Sequence, residues 1–178
     1  MLNGCRLILL TGIFIFLSAC KEDYKTIQKF TVTPANREPK GDTIMHDNQG
    51  NFDFSRIVKK NEAGLTALIN ISEENRNKKI WVIFSGRLRT NYAHSNATIS
   101  IAAIGLNQTI VVWNASFLKY FVTEINQWCP FKDSILLPRE KLEQKYSMIN
   151  TMAFLGNSEN ENFDVDTLKV EYRVEVTD

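Results

Sequence analysis

Residues 167–176 alternate without a fault. Leu168, Val170, Tyr172, Val174 and Val176 fall on one side of an extended chain, and Thr167, Lys169, Glu171, Arg173 and Glu175 fall on the other. That is the period-2 pattern of a strand with one dry and one wet face. A helix would scatter the same side chains around its circumference, so this segment needs a sheet to bury its apolar side. Upstream, Leu65, Ala67, Ile69 and Ile71 alternate with Thr66, Leu68 and Asn70, and Ile99, Ile101 and Ala103 with Thr98, Ser100 and Ala102. Ile80, Val82 and Phe84 alternate with Trp81, Ile83 and Ser85, a run apolar on both faces and so expected at the centre of a sheet. A further strand is expected over 109–113. Helical signal is confined to 138–145 and 116–121. Short strands with turn residues between them and little helix predict an all-β fold, an antiparallel β-sandwich. A chain of 178 residues is enough for one such domain.

The first twenty residues follow a different logic. Arg6 precedes an apolar run from Leu7 to Leu17, interrupted only by Thr11 and Gly12. The run is shorter than the roughly 20 apolar residues a spanning helix needs, which makes it a signal-peptide core. It ends in Leu17-Ser18-Ala19-Cys20, which resembles the lipobox of bacterial lipoproteins. The resemblance implies that residues 1–19 are a cleaved signal peptide and that lipid on Cys20 anchors the chain to a membrane of the bacterial cell envelope. Lys21-Glu22-Asp23 is similar to the signal that follows the lipidated cysteine in some Bacteroidota lipoproteins, which implies the outer membrane and display on its outer face. Cleavage would remove Cys5 and the base Arg6, bringing the formal charge from +1 to zero. Such a balance offers nucleic acid nothing. With Cys20 acylated, Cys129 remains as a thiol, and its apolar neighbours suit a small buried hydrophobe.

Residues 20–45 are polar and carry Pro34, Pro39 and Gly41. They read as a tether that donates an edge strand over 27–32, ahead of a sandwich domain at 46–178. Within that domain several segments recur in a recognisable order. Arg87-Leu88-Arg89 closes a strand and Ala97-Thr98-Ile99-Ser100-Ile101 follows. Next come Trp128 with Pro130-Phe131, then Leu137-Pro138, Phe154-Leu155-Gly156-Asn157 and finally Phe163 to Glu171. This order resembles the galactose-binding-like jelly roll of Bacteroidota surface lipoproteins and carbohydrate-binding modules. The resemblance spans roughly 64–176 and implies a jelly-roll topology and a glycan ligand.

Candidate chemistry is sparse. Asp47, Gln49, Asn51 and Asp53 stand at alternate positions, but Phe52 occupies the glycine place of an EF-hand and Val58 that of its bidentate glutamate. Glu159, Glu161, Asp164 and Asp166 form the better metal candidate, a place for a structural Ca²⁺ ion; no other cofactor is expected. Asp164 and Asp166, about 7 Å apart on one strand face, are also the pair closest to a glycosidase spacing. There is no nucleophile elbow, His-Glu-x-x-His zinc motif, phosphate loop or Cys-x-x-Cys. For a sugar, whose apolar ring faces stack on aromatics, the candidates are Trp113 with Asn114, Tyr92 with His94 and Arg89, and Tyr120. Trp81 and Trp128 lie in apolar strands and read as core. The expectation is a non-enzymatic binding or assembly module with a glycan or an envelope protein as partner; the alternatives are an envelope hydrolase or its inhibitor.

Overall fold

The computed structural model describes residues 24–32, 43–58, 62–76, 78–138, 146–156 and 161–176. Among these residues ten strands form two antiparallel sheets packed face to face, an all-β sandwich of jelly-roll type. They are β1 Tyr24–Val32, β2 Thr43–His46, β3 Phe52–Ile57, β4 Glu62–Asn70, β5 Ile80–Thr90, β6 Ala97–Gly105, β7 Ile110–Phe117, β8 Cys129–Leu137, β9 Tyr146–Leu155 and β10 Phe163–Glu175. Sheet A runs β2-β3-β10-β5-β8, with β1 also paired to β10; sheet B runs β4-β9-β6-β7.

The alternations place the core. Val170, Tyr172 and Val174 of β10, Ile80, Val82 and Phe84 of β5, and Leu65, Ala67 and Ile69 of β4 are all buried between the sheets. β5 is central, paired with β10 on one side and β8 on the other. The phenol of Tyr172 is fully buried, and burial raises its pKa above the ordinary tyrosine range. It shares a 2.7 Å hydrogen bond with the Thr151 hydroxyl of β9, tying one sheet to the other through the core.

The strand expected at 27–32 is present and longer, reaching back to Tyr24. Its pairing with β10 sets β1 side chains beside those of the outward face of β10. Glu171 accepts hydrogen bonds from Arg173 and Thr26, both at 2.8 Å, and Lys29 stands 3.6 Å away. The Arg173 and Thr26 bonds hold the Glu171 carboxyl at a pKa of about 2. This link between β1 and β10 is therefore complete above the ordinary carboxylate range and is lost as pH falls through that value.

β10 is not one regular ladder. Val165 pairs with Leu88 and Thr167 with Arg87, so Asp166 is an extra residue, a β-bulge. The bulge shifts the phase: Phe163 and Val165 point into the core before it, and Leu168 and Val170 after it. Two other segments also differ from expectation. Residues 116–121 hold the end of β7 and a single 3₁₀ turn, Leu118–Phe121. Trp81 is not in the core; it is half-buried on the outer face of sheet A, edge-on to Tyr24 at 6.3 Å. The helix expected at 138–145 falls almost wholly outside the described residues. The acidic spacing at 47–53 belongs to the β2–β3 hairpin. Asp47 accepts the backbone N–H groups of Gln49 and Asn51, both at 2.8 Å, and Gly50 takes the left-handed φ of +82° that the turn requires.

Candidate functional site

The outer faces of the two sheets have opposite chemistry. On sheet A the register sets Asp164 of β10 directly across from Arg56 of β3 on one side and Arg89 of β5 on the other. Arg56 forks onto Asp164 through Nε at 2.7 Å and Nη2 at 2.9 Å, and Arg89 approaches through Nε at 2.9 Å and Nη2 at 2.7 Å. The bond to Asp164 raises the Arg56 pKa. Beside this row the bulge residue Asp166 accepts from Arg87 Nε at 2.6 Å. Two rings brace the guanidinium groups. Arg89 lies between Phe54, 4.9 Å from the ring centre, and Trp128, at 4.6 Å, while Arg56 lies over Phe54 at 5.2 Å. Trp128, expected in the core, is therefore an outer-face residue, edge-on to Phe54.

At the end of this row the surface falls into a cleft of about 230 Å³, lined by Arg56, Arg89, Thr90, Asn91, Asn126, Asn162 and Asp164. Tyr92, half exposed and edge-on to His94, belongs to the loop beside it. Glu161 lies buried behind Thr90, where it accepts hydrogen bonds from Ser95, Thr90 and the backbone N–H of Asn96.

These contacts show how the described members of the acidic cluster are engaged. Asp164 and Asp166 spend their charge on arginines, Glu161 clamps the β5–β6 loop, and Glu159 lies outside the described residues. Among the described residues no three His, Cys, Asp or Glu side chains gather as a metal ion requires. The same pairs remove Asp164 and Asp166 as a hydrolytic couple, since neither stands as a free acid or base.

Sheet B presents no charge. Its outward positions are Thr66, Leu68 and Asn70 on β4, Met148, Asn150, Met152 and Phe154 on β9, Thr98, Ser100, Ala102 and Ile104 on β6, and Ile110, Trp113, Ala115 and Phe117 on β7. Trp113, at 57% exposure, and Phe117, at 46%, stand on this face. Tyr120, at 78%, follows in the 3₁₀ turn. Lys119 bridges the last two rings, its Nζ 5.1 Å from the centre of Phe117 and 5.4 Å from that of Tyr120.

The aromatic candidates thus divide. Trp113 and Tyr120 belong to one strip at the β7 edge, whereas Arg89 and Tyr92 belong to the cleft end of sheet A. Asn114 alternates away from Trp113, and its side chain accepts from the backbone N–H of Ala115. Sequence reasoning missed Phe54, Arg56, Asn126 and Asn162, which meet only through the β3–β10–β5 register and two loops. It also missed the sheet B face, although the signal was present: strands 66–70, 98–104 and 148–154 carry no charge on either side.

Neither a protein-family model nor a curated protein matches the chain. Among solved structures it is similar to infectious bursal disease virus, Gt strain, at 12% identity and a TM-score of 0.47, over 83% of this chain and 32% of that one. The VP2 subviral particle of the same virus gives 14% identity and a TM-score of 0.46 over the same shares. The chain spans about a third of the length of those viral chains. It is also similar to the carbohydrate-binding module of Cellvibrio mixtus lichenase 5A in complex with cellotriose, at 8% identity and a TM-score of 0.43, over 84% of this chain and 98% of that one.

Proposed function

We propose that this protein is a non-catalytic, lipid-anchored module that binds neutral glycan chains along the outer face of sheet B. One observation carries the reading: a four-stranded face without a charge, edged by exposed Trp113 and Phe117, with Tyr120 just beyond. Trp113 and Phe117 are four residues apart on one strand face, hence about 13 Å. They form consecutive platforms for the apolar faces of sugar rings. Asn70 and Asn150 supply amides to read sugar hydroxyl groups, while Thr98 and Ser100 are buried and hydrogen-bonded to each other at 2.9 Å. The Asn150 Oδ1 atom is buried and lacks a hydrogen-bond donor among the described residues, so an incoming hydroxyl would satisfy it. The anchor reading is supported by the lipobox-like Leu17–Cys20 and would put the module at the bacterial envelope.

Affinity electrophoresis of the full chain through gels containing a β-glucan, a xylan or a galactomannan tests the ligand. At least one polysaccharide should retard the protein, and Trp113→Ala should weaken that retention about tenfold, a 1.4 kcal/mol effect. Migration unaffected by every polysaccharide, or equal retention of Trp113→Ala, rules the platform out. Metabolic labelling with a palmitate analogue tests the anchor, and an unlabelled protein refutes it.

A further inference from the structure

The cleft on sheet A differs from the platform on sheet B in position and in charge, and its own geometry points to a second ligand group. We infer that it binds the carboxylate of an acidic sugar, a uronic acid residue, between Arg56 and Arg89. The sugar half of this inference rests on the glycan reading; the anionic half stands on the cleft alone.

Two guanidinium groups face one carboxylate in the lining, Arg56 and Arg89 against Asp164, so the lining carries one positive charge in excess. Asp164 is 3% exposed and takes only the Nε and Nη2 donors of each arginine. Among the described residues neither Nη1 group donates to a protein acceptor, and the two arginines remain 32% and 28% exposed. Each thus keeps donors for an acceptor outside the protein. Their planes are fixed in advance, by Asp164 on one side and by the Phe54 and Trp128 rings on the other. A preset arginine fork suits a planar carboxylate, and little ordering is left to be done on binding. Asn126 and Asn162 add exposed amides to the lining, groups that read ring hydroxyls, while the Thr90 hydroxyl is held by Glu161 and the backbone N–H of Tyr92. Among the described residues Glu161 lies behind Thr90, where it accepts from the Ser95 hydroxyl and the backbone N–H of Asn96. At about 230 Å³ the cleft is smaller than the roughly 300–1,000 Å³ of pockets that bury drug-sized ligands, a size that suits a single sugar ring.

The test is titration of the full chain with sodium glucuronate, glucose and sodium acetate, followed by NMR shifts of the cleft residues. Glucuronate should saturate, with glucose and acetate each at least about tenfold weaker, since glucose lacks the charge and acetate the hydroxyls. Asn126→Asp puts a negative charge in the lining without touching either ion pair. Asn126 is exposed and sits at φ 59°, a left-handed conformation that aspartate tolerates. That variant should fold and lose binding about tenfold or more, and Arg89→Gln should lose it as well. If glucose binds as tightly as glucuronate, if acetate does, or if Asn126→Asp binds normally, the inference is overturned. Because Trp113 lies on the other sheet, Trp113→Ala should leave glucuronate binding unchanged. Failure at the cleft is thereby separable from failure of the platform.

Discussion

Val170→Asp should not fold. Val170 is 1% exposed at the middle of β10, paired with Phe84 of β5 in a sheet whose inner face is wholly apolar there. An aspartate at this position would be a charge with no partner in the core. The cost runs to several kcal/mol, comparable with the ~5–15 kcal/mol that holds a whole domain together. Circular dichroism of the full chain should show the loss of the cooperative thermal transition. Lys169→Asp, one residue away and on the wet face, is the matched control and should keep that transition. A normal melt for Val170→Asp would mean that the β10 register is wrong by one residue, since a slip of one sends every side chain to the opposite face.

Gly86→Ala should damage the fold more than the same change at Gly50, Gly64 or Gly156. A Cβ at Gly86 would stand 1.8 Å from the Thr167 carbonyl oxygen and 2.9 Å from Cζ of Phe131. The first of these is backbone, held in place by the bulge at Asp166, so no side-chain rotation relieves the clash. The reason is close approach: the bulge pushes the β10 backbone against β5 where only a glycine leaves room. Overpacking usually costs about 1–3 kcal/mol, and a clash with fixed backbone belongs at or beyond the top of that range. At about 2–4 °C per kcal/mol for a domain of this size, the midpoint of thermal unfolding should fall by roughly 6–12 °C. A shift under about 2 °C would show that β5 and β10 are further apart at this point than the structure has them.

That bulge marks the boundary of what could be read from residues alone. Alternation is a local signal, and from Leu168 to Val174 it identified the buried side correctly. Continued backwards, the same rule would have turned Phe163 and Val165 outward, because a bulge leaves no mark that alternation can detect. The tryptophans show a second limit. Trp81 and Trp128 sit in apolar strands, and apolar neighbours suggested a core. Yet β5 and β8 are flanked on their outer side by aromatic and guanidinium groups, so apolar company there means a ring-and-arginine layer on the surface. Arg89 was noticed as a candidate, but its companions Arg56, Asn126 and Asn162 lie tens of residues away and come together only when the strands are in register. The acidic residues at 161–166 drew attention for their density, and density alone could not reveal that each had an arginine, hydroxyl or backbone partner. Trp113 and Tyr120 were legible as aromatic candidates from their chemistry alone; the charge-free face beside them needed the order β4-β9-β6-β7 to become one surface.

The early start of β1 has a consequence for posture. If Cys20 carries the lipid, three residues separate it from Tyr24, and the four steps between them reach about 14 Å at most. The sandwich would then ride close against the bilayer, as on a short leash. Tyr24 pairs with Glu175, so the leash attaches at the pole where β10 ends. The β6–β7 hairpin turns at that same pole and offers exposed Leu106 and Ile110 toward the headgroups. The cleft opens at the opposite pole, where β10 begins, some 40 Å farther out along a 13-residue strand. Anchorage and recognition would thus occupy the two ends of one strand, with the arginine cleft held at the greatest distance from the membrane that the domain can provide.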